Sequence, residues 1–159
     1  MSYASLLRRT RAAGLAAIML AVGTTHAEER SARVALDPIY QQECSACHLA
    51  YPPAMLSADS WRQLMGSLPQ HFGSDASLDP KAVAALTSWL TANAARGRRA
   101  REVATADRIT RTHWFEHEHE EVSADVWRRA SVRSAANCAA CHAGAARGDF
   151  NDDNILIPK

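Results

Sequence analysis

Cys44-Ser45-Ala46-Cys47-His48 and Cys138-Ala139-Ala140-Cys141-His142 hold every cysteine in the chain. Two thiols three positions apart with a histidine directly after them form the attachment pattern of a c-type haem. On a helix, positions i, i+3 and i+4 share a face, so both thiols can form thioethers to the haem vinyl groups while the imidazole meets the iron. A four-cysteine zinc site, two disulfides or a thioredoxin-like dithiol would also use Cys-x-x-Cys pairs, but none of these explains a histidine after both. The expected cofactors are therefore two covalently bound haem c groups. Cys44, Cys47, Cys138 and Cys141 are the attachment points, and His48 and His142 each provide one axial ligand to iron.

The rest of the composition agrees with a small haem protein. The 159 residues include 47% hydrophobic but only 6% aromatic side chains, so a large prosthetic group is needed to supply core volume. Opposite charges are interspersed and nearly balanced, with 18 basic and 17 acidic residues, which leaves no footprint for nucleic acid.

The N-terminal stretch reads as an export signal. Arg8, Arg9 and Arg11 precede an apolar run from Ala12 to Gly23, and Thr25-His26-Ala27 approximates a small-x-small cleavage site. A run of about a dozen apolar residues is short of the ~20 that a spanning helix needs, so the chain is expected not to span a membrane. Residues 1–27 are read as a signal peptide removed on export to the periplasm. Its loss takes away three arginines and no acids, moving the net charge from +1 to −2.

Periodicity predicts a mostly α protein built as two small cytochrome c-like haem domains, residues 28–96 and 97–159, packed around the two covalent haems. A helix is expected from Leu36 to His48, opened by Asp37-Pro38 and ended by Tyr51-Pro52-Pro53. A second is capped by Ser57 or Ser60 and carries the stripe Trp61, Leu64, Met65 and Leu68. A third opens at Asp79-Pro80 and buries Val83, Leu86, Trp89 and Leu90. Gly97 and the basic run Arg96, Arg98, Arg99 and Arg101 read as a linker. Beyond it, helices are expected over about Thr112–Val122, from Ser123 around Trp127, and from Ser134 through His142. An irregular tail follows, with Asp149, Asp152 and Asp153 exposed.

The second ligand of each iron decides between electron transfer and small-molecule binding. No His, Met or Tyr follows His142, so the second haem takes its other ligand from earlier in the chain. His113, His117 and His119 stand close together there. At about 100° per residue, His119 shares a stripe with Phe115, Val122 and Val126, whereas His113 and His117 fall among Glu116, Glu120 and Glu121. The apolar side favours His119, with His117 or His113 as its replacement. A surface zinc pair of His113 and His117 is a further reading of those two. For the first haem, His71 is preferred to Met65 and Met55, since Met65 belongs to a core stripe and Met55 to a Pro-rich turn.

Taken together, the two motifs, Trp61, His71-Phe72-Gly73, Arg108-Ile109-Thr110, Trp114-Phe115 ahead of His119, and the run Ala135-Ala136-Asn137 into Cys138 through Ala145 resemble the small periplasmic dihaem cytochrome c family of phototrophic and related bacteria. The likeness spans most of residues 36–158. It implies that His48 and His71 bind the first iron and that His142 and His119 bind the second. It also implies that electrons pass to a mono-haem, oxygen-binding cytochrome c of the sphaeroides haem protein type, with a membrane cytochrome b as a possible upstream donor. The expected role is therefore a low-potential, bis-histidine, one-electron carrier rather than an enzyme. The alternatives are a haem subunit of a periplasmic reductase, or a dihaem peroxidase or gas-binding protein with one open iron.

Overall fold

A computed structural model describes residues 35–102 and 107–159. The expected signal peptide, residues 1–27, lies outside the described residues. Among those described, the secondary structure is helical. No strand forms, and the only β-type pairings are the isolated bridges His71–Ser74 and His142–Ile155.

The first helix, α1, spans Pro38–Cys44. Asp37 caps it by accepting hydrogen bonds from the Ile39 and Tyr40 amides, and Pro38 occupies its first position, where no amide donor is missed. It was expected to run on to His48 but stops at Cys44. Its C-cap amide, on Ser45, closes on the Gln41 carbonyl, and downstream Pro52 and Pro53 have no N–H with which to prolong a helix. Cys47 and His48 therefore sit in turns.

Helix α2 spans Ala58–Gly66, with the Ser57 hydroxyl accepting from the Ser60 amide. Helix α3 spans Pro80–Ala92 and is capped by Asp79. These two pack against each other, and α1 packs on α3, around a core of Tyr40, Leu56, Trp61, Leu64, Leu68, Leu86 and Leu90. Tyr40 is the hub. Its ring meets Trp61 edge-on at 6.4 Å and Trp89 at 5.1 Å, and its hydroxyl donates to the Tyr51 carbonyl at 2.8 Å. The Trp61 indole N–H reaches the Pro53 carbonyl at 2.8 Å. Helices α1 and α2 thus both grip the Pro-rich loop directly behind His48.

The basic run read as a linker instead winds into a short helix, α4, over Gly97–Glu102, with Gly97 at φ +58° leading into it. Arg99 lies over the Trp114 ring at 4.0 Å, a cation–π contact that fixes the run against the next helix. That helix, α5, covers only His113–Glu118. Thr112 caps it through the Phe115 amide, and His119 is its C-cap at φ −121°, so the expected extension to Val122 is replaced by a turn from the His119 carbonyl to the Val122 amide. The short helix expected near Trp127 is present as α6, Ala124–Arg128.

The helix expected from Ser134 into His142 does not form. Its place is taken by turns and a single 3-10 turn over Cys138–Ala140. Side chains there bond locally to the backbone: the Ser134 hydroxyl accepts from the Ala136 amide, and the Asn137 amide donates to the Val132 carbonyl. Such bonds compete with a helical ladder. Arg133 at φ +69° also leaves the helical region. The tail returns beside the second motif, where the Leu156 amide donates to the Cys141 carbonyl at 2.9 Å. Asp152 and Asp153 are exposed as expected, whereas Asp149 is half-buried because its Cβ packs on Gly144.

Candidate haem sites

None of the four motif cysteines is joined to another in a disulfide. Burial raises the thiol pKa of Cys138 and Cys141, and burial followed by the neighbouring Glu43 pushes Cys44 up to about 11.

Each motif histidine faces a second histidine. The His48 and His71 ring centres are 6.1 Å apart with planes 23° from parallel, and the His119 and His142 centres are 6.2 Å apart with planes at 70°. A metal–imidazole bond of about 2 Å, plus about 1 Å from nitrogen to ring centre on each side, puts two opposed ligands about 6 Å apart. Separation alone does not single out these pairs, because His113 and His117 lie 6.4 Å apart. Those two, however, stand one turn apart on α5, are exposed and lie away from any cysteine pair, and His117 is held near Glu120 at 3.5 Å.

Tautomers agree with ligation through Nε2. His48 Nδ1 lies 2.7 Å from the Leu49 carbonyl and His119 Nδ1 lies 2.8 Å from the Phe115 carbonyl. A carbonyl only accepts, so Nδ1 carries the proton and the Nε2 lone pair remains for a metal. In each pair the other ring, His71 or His142, has a buried Nδ1 with no hydrogen-bond partner. Burial first, then electrostatic interaction with neighbouring groups, lowers both pKa values. For His71 the neighbours are His48 and Arg108. For His142 it is His119, opposed by Asp152. Both rings are thus kept neutral, the form that ligates iron. This donor set fits two six-coordinate haem irons.

Aromatic side chains orient these rings. His119 stacks on Phe115 at 4.1 Å and 19°, with Trp127 at 5.8 Å, and Phe150 lies 5.5 Å from His142. Phe72, at a left-handed φ of +52°, tilts against His71 at 4.8 Å and carries the Arg108 guanidinium over its other side at 3.8 Å. Tyr51 stacks on His48 at 5.0 Å and 21° and donates its hydroxyl to the Ala136 carbonyl at 2.9 Å. Sequence reasoning treated Tyr51 only as a helix terminator and gave Phe150 no role. An aromatic three residues after a motif histidine was the available signal for Tyr51.

The two pairs are also laid out alike along the chain. His48 and His71 are 23 positions apart, as are His119 and His142, but the motif histidine comes first in one pair and second in the other.

Residues 40–150 match a family described as dihaem cytochrome c. Among solved structures, the chain is similar to a dihaem cytochrome c from Rhodobacter sphaeroides, with 49% identity, 75% of this chain and 100% of that chain covered, and a TM-score of 0.67. A crystal structure of DHC purified from Rhodobacter sphaeroides aligns at 48% identity over 73% and 98% of the two chains, with a TM-score of 0.64. A dihaem cytochrome type c from Shewanella baltica OS155 aligns at 34% identity over 76% and 92%, with a TM-score of 0.67. A search of curated proteins finds no match.

Proposed function

This chain belongs to the dihaem cytochrome c family, with two covalently bound haem c groups and an electron-transfer role, and we propose that it works as an exported, low-potential one-electron carrier whose two irons are each ligated by two histidines. One haem, in residues 28–96, is held by Cys44 and Cys47 with His48 and His71 as axial ligands. The other, in residues 97–159, is held by Cys138 and Cys141 with His142 and His119. The observation that carries this reading is the facing of each motif histidine by a second imidazole at about the separation two axial ligands require.

Bound haem supplies an iron that holds or releases one electron. The protein's part is to keep that iron closed to other ligands and to set its potential. A second imidazole in place of methionine removes a ligand that raises the potential, so both haems sit low on the cytochrome c scale. A peroxidase or gas sensor needs an open iron, and a closed pair at both sites argues against that role. Redox proteins are the partners. By resemblance, these are a mono-haem, oxygen-binding cytochrome c as acceptor and a membrane cytochrome b as donor. Among the described residues no helix is long and apolar enough to cross a membrane.

Low-temperature EPR and near-infrared spectra of the oxidised protein test the ligand assignment. Two low-spin signals without a methionine-to-iron charge-transfer band are expected, and such a band would overturn the double bis-histidine reading.

A further inference from the structure

Tyr51 touches both halves of the molecule. Its ring stacks on His48 at 5.0 Å, with planes 21° apart, from the first motif. Its hydroxyl donates to the Ala136 carbonyl at 2.9 Å, 85 residues away and two positions before Cys138. Its own carbonyl accepts from the buried Tyr40 hydroxyl at 2.8 Å, which anchors its backbone to the helical core. The ring is thus fixed at three points: the core, the imidazole of one site and the loop that enters the other.

Among the described residues the His48 imidazole makes one hydrogen bond, from Nδ1 to the adjacent Leu49 carbonyl. That bond holds the ring at one edge, and a face-on aromatic neighbour further limits its rotation about the Cβ–Cγ bond. We propose that Tyr51 is a positioning residue shared by the two haem sites: it sets the plane of the His48 imidazole, and it does so from an anchor on the segment carrying the second cysteine pair. This deepens the function proposed above and rests on His48 being an axial ligand. Its consequence is that a shift of the Ala136–Cys138 loop at one site turns the ligand plane at the other.

In a low-spin ferric haem with two imidazoles, the g-anisotropy reports the angle between the ring planes. The near-parallel His48–His71 pair and the steeply crossed His119–His142 pair therefore give separable EPR signals. Three variants of the full haem-loaded protein test the proposal. Tyr51→Leu removes both stack and anchor, and Tyr51→Phe keeps the stack but loses the hydroxyl. Asn137→Ala loosens the loop by removing the bond to the Val132 carbonyl.

The first-haem signal is expected to shift in Tyr51→Leu and, by less, in Tyr51→Phe, while the second-haem signal keeps its shape. Asn137→Ala is expected to shift the first-haem signal in the native background but not in the Tyr51→Leu background. The proposal is overturned if the Tyr51 variants lower the melting temperature and leave the first-haem signal unchanged. It is equally overturned if Asn137→Ala leaves that signal unmoved, or moves it equally in both backgrounds. Failure of the underlying ligand assignment is seen separately, as a methionine charge-transfer band in the unmodified protein.

Discussion

Of the two proposed sixth ligands, His119 is the more exposed to test, because its imidazole is aimed by two local contacts that can be removed one at a time. Its Nδ1–H donates to the Phe115 carbonyl at 2.8 Å, and its ring stacks on the Phe115 side chain at 4.1 Å. An intramolecular hydrogen bond contributes about 1 kcal/mol and an aromatic stack about 0.5–1.5 kcal/mol beyond burial. Phe115→Leu keeps the carbonyl and removes the stack. Since about 1.4 kcal/mol corresponds to tenfold in an equilibrium constant, detached His119 should become up to about tenfold more populated. Carbon monoxide binding to the reduced protein is limited by that detached fraction, so its rate should rise up to about tenfold at one haem and stay unchanged at the other.

His119→Ala carries the same perturbation to its limit. Both haems stay attached, because thioether formation uses only the cysteine motifs. One of the two becomes high-spin and binds carbon monoxide at once, so half the haem absorbance changes. His117→Ala should leave the spectrum intact, since His117 is exposed and engaged with Glu120. If His117→Ala opens a haem and His119→Ala does not, the reasoning from Phe115 is refuted.

Three further outcomes are expected. Burial raises the Tyr40 pKa above its ordinary value near 10, so the folded state keeps this proton while the unfolded state loses it above about pH 10. Its stabilisation is complete below that pH and is lost as pH rises further, at up to about 1.4 kcal/mol per pH unit. Tyr40→Phe should flatten this alkaline decline in denaturant titrations, and an unchanged slope would refute the assignment. Trp61→Phe removes one of two hydrogen bonds to the Pro53 carbonyl, which still accepts from the Leu56 amide at 3.3 Å, and should cost about 0.5–1.5 kcal/mol of stability in chemical unfolding, with the haem spectrum unchanged. In Gly144→Ala the added Cβ would lie 2.5 Å from the Asp149 Cβ and 3.0 Å from its carbonyl oxygen, so the tail turn must move. Faster proteolysis after residue 144 should report this, and native-like resistance would show that the turn adapts freely.

The sequence was most legible where local chemistry acts alone. Asp37-Pro38 and Asp79-Pro80 marked two helix starts correctly because a capping carboxylate and a proline at the first position need no tertiary help. The apolar stripes of α2 and α3 were readable for the same reason. His119 was placed beside Phe115 by helical spacing, although it sits at the helix end rather than inside it. The second motif was misjudged as helical because its alanines have high helix propensity, whereas Ser134 and Asn137 divert the backbone with their own side-chain bonds. The arginine run was read as a linker from Gly97 and the shift in composition. The contact that orders it depends on Trp114, which no local pattern connects to Arg99. Tyr51 was missed because its partner on the far side is 85 residues away.

The equal spacing of the two histidine pairs bears on how the chain matures. Closing loops of the same length costs about the same chain entropy, so neither site has a head start from topology. The order of emergence differs, however, when the chain appears N-terminus first. In the first site the cysteine pair and His48 come out before His71, so haem can be attached while its second ligand is still absent. In the second, His119 is already present when Cys138 and Cys141 arrive, and closure can accompany attachment. The hydrogen bond from Tyr51 to Ala136 spans 85 residues and needs the chain only as far as Ala136, which emerges before Cys138 and His142. It can therefore form while the second loop is still open, tying the first site to the segment that is about to deliver the second cysteine pair.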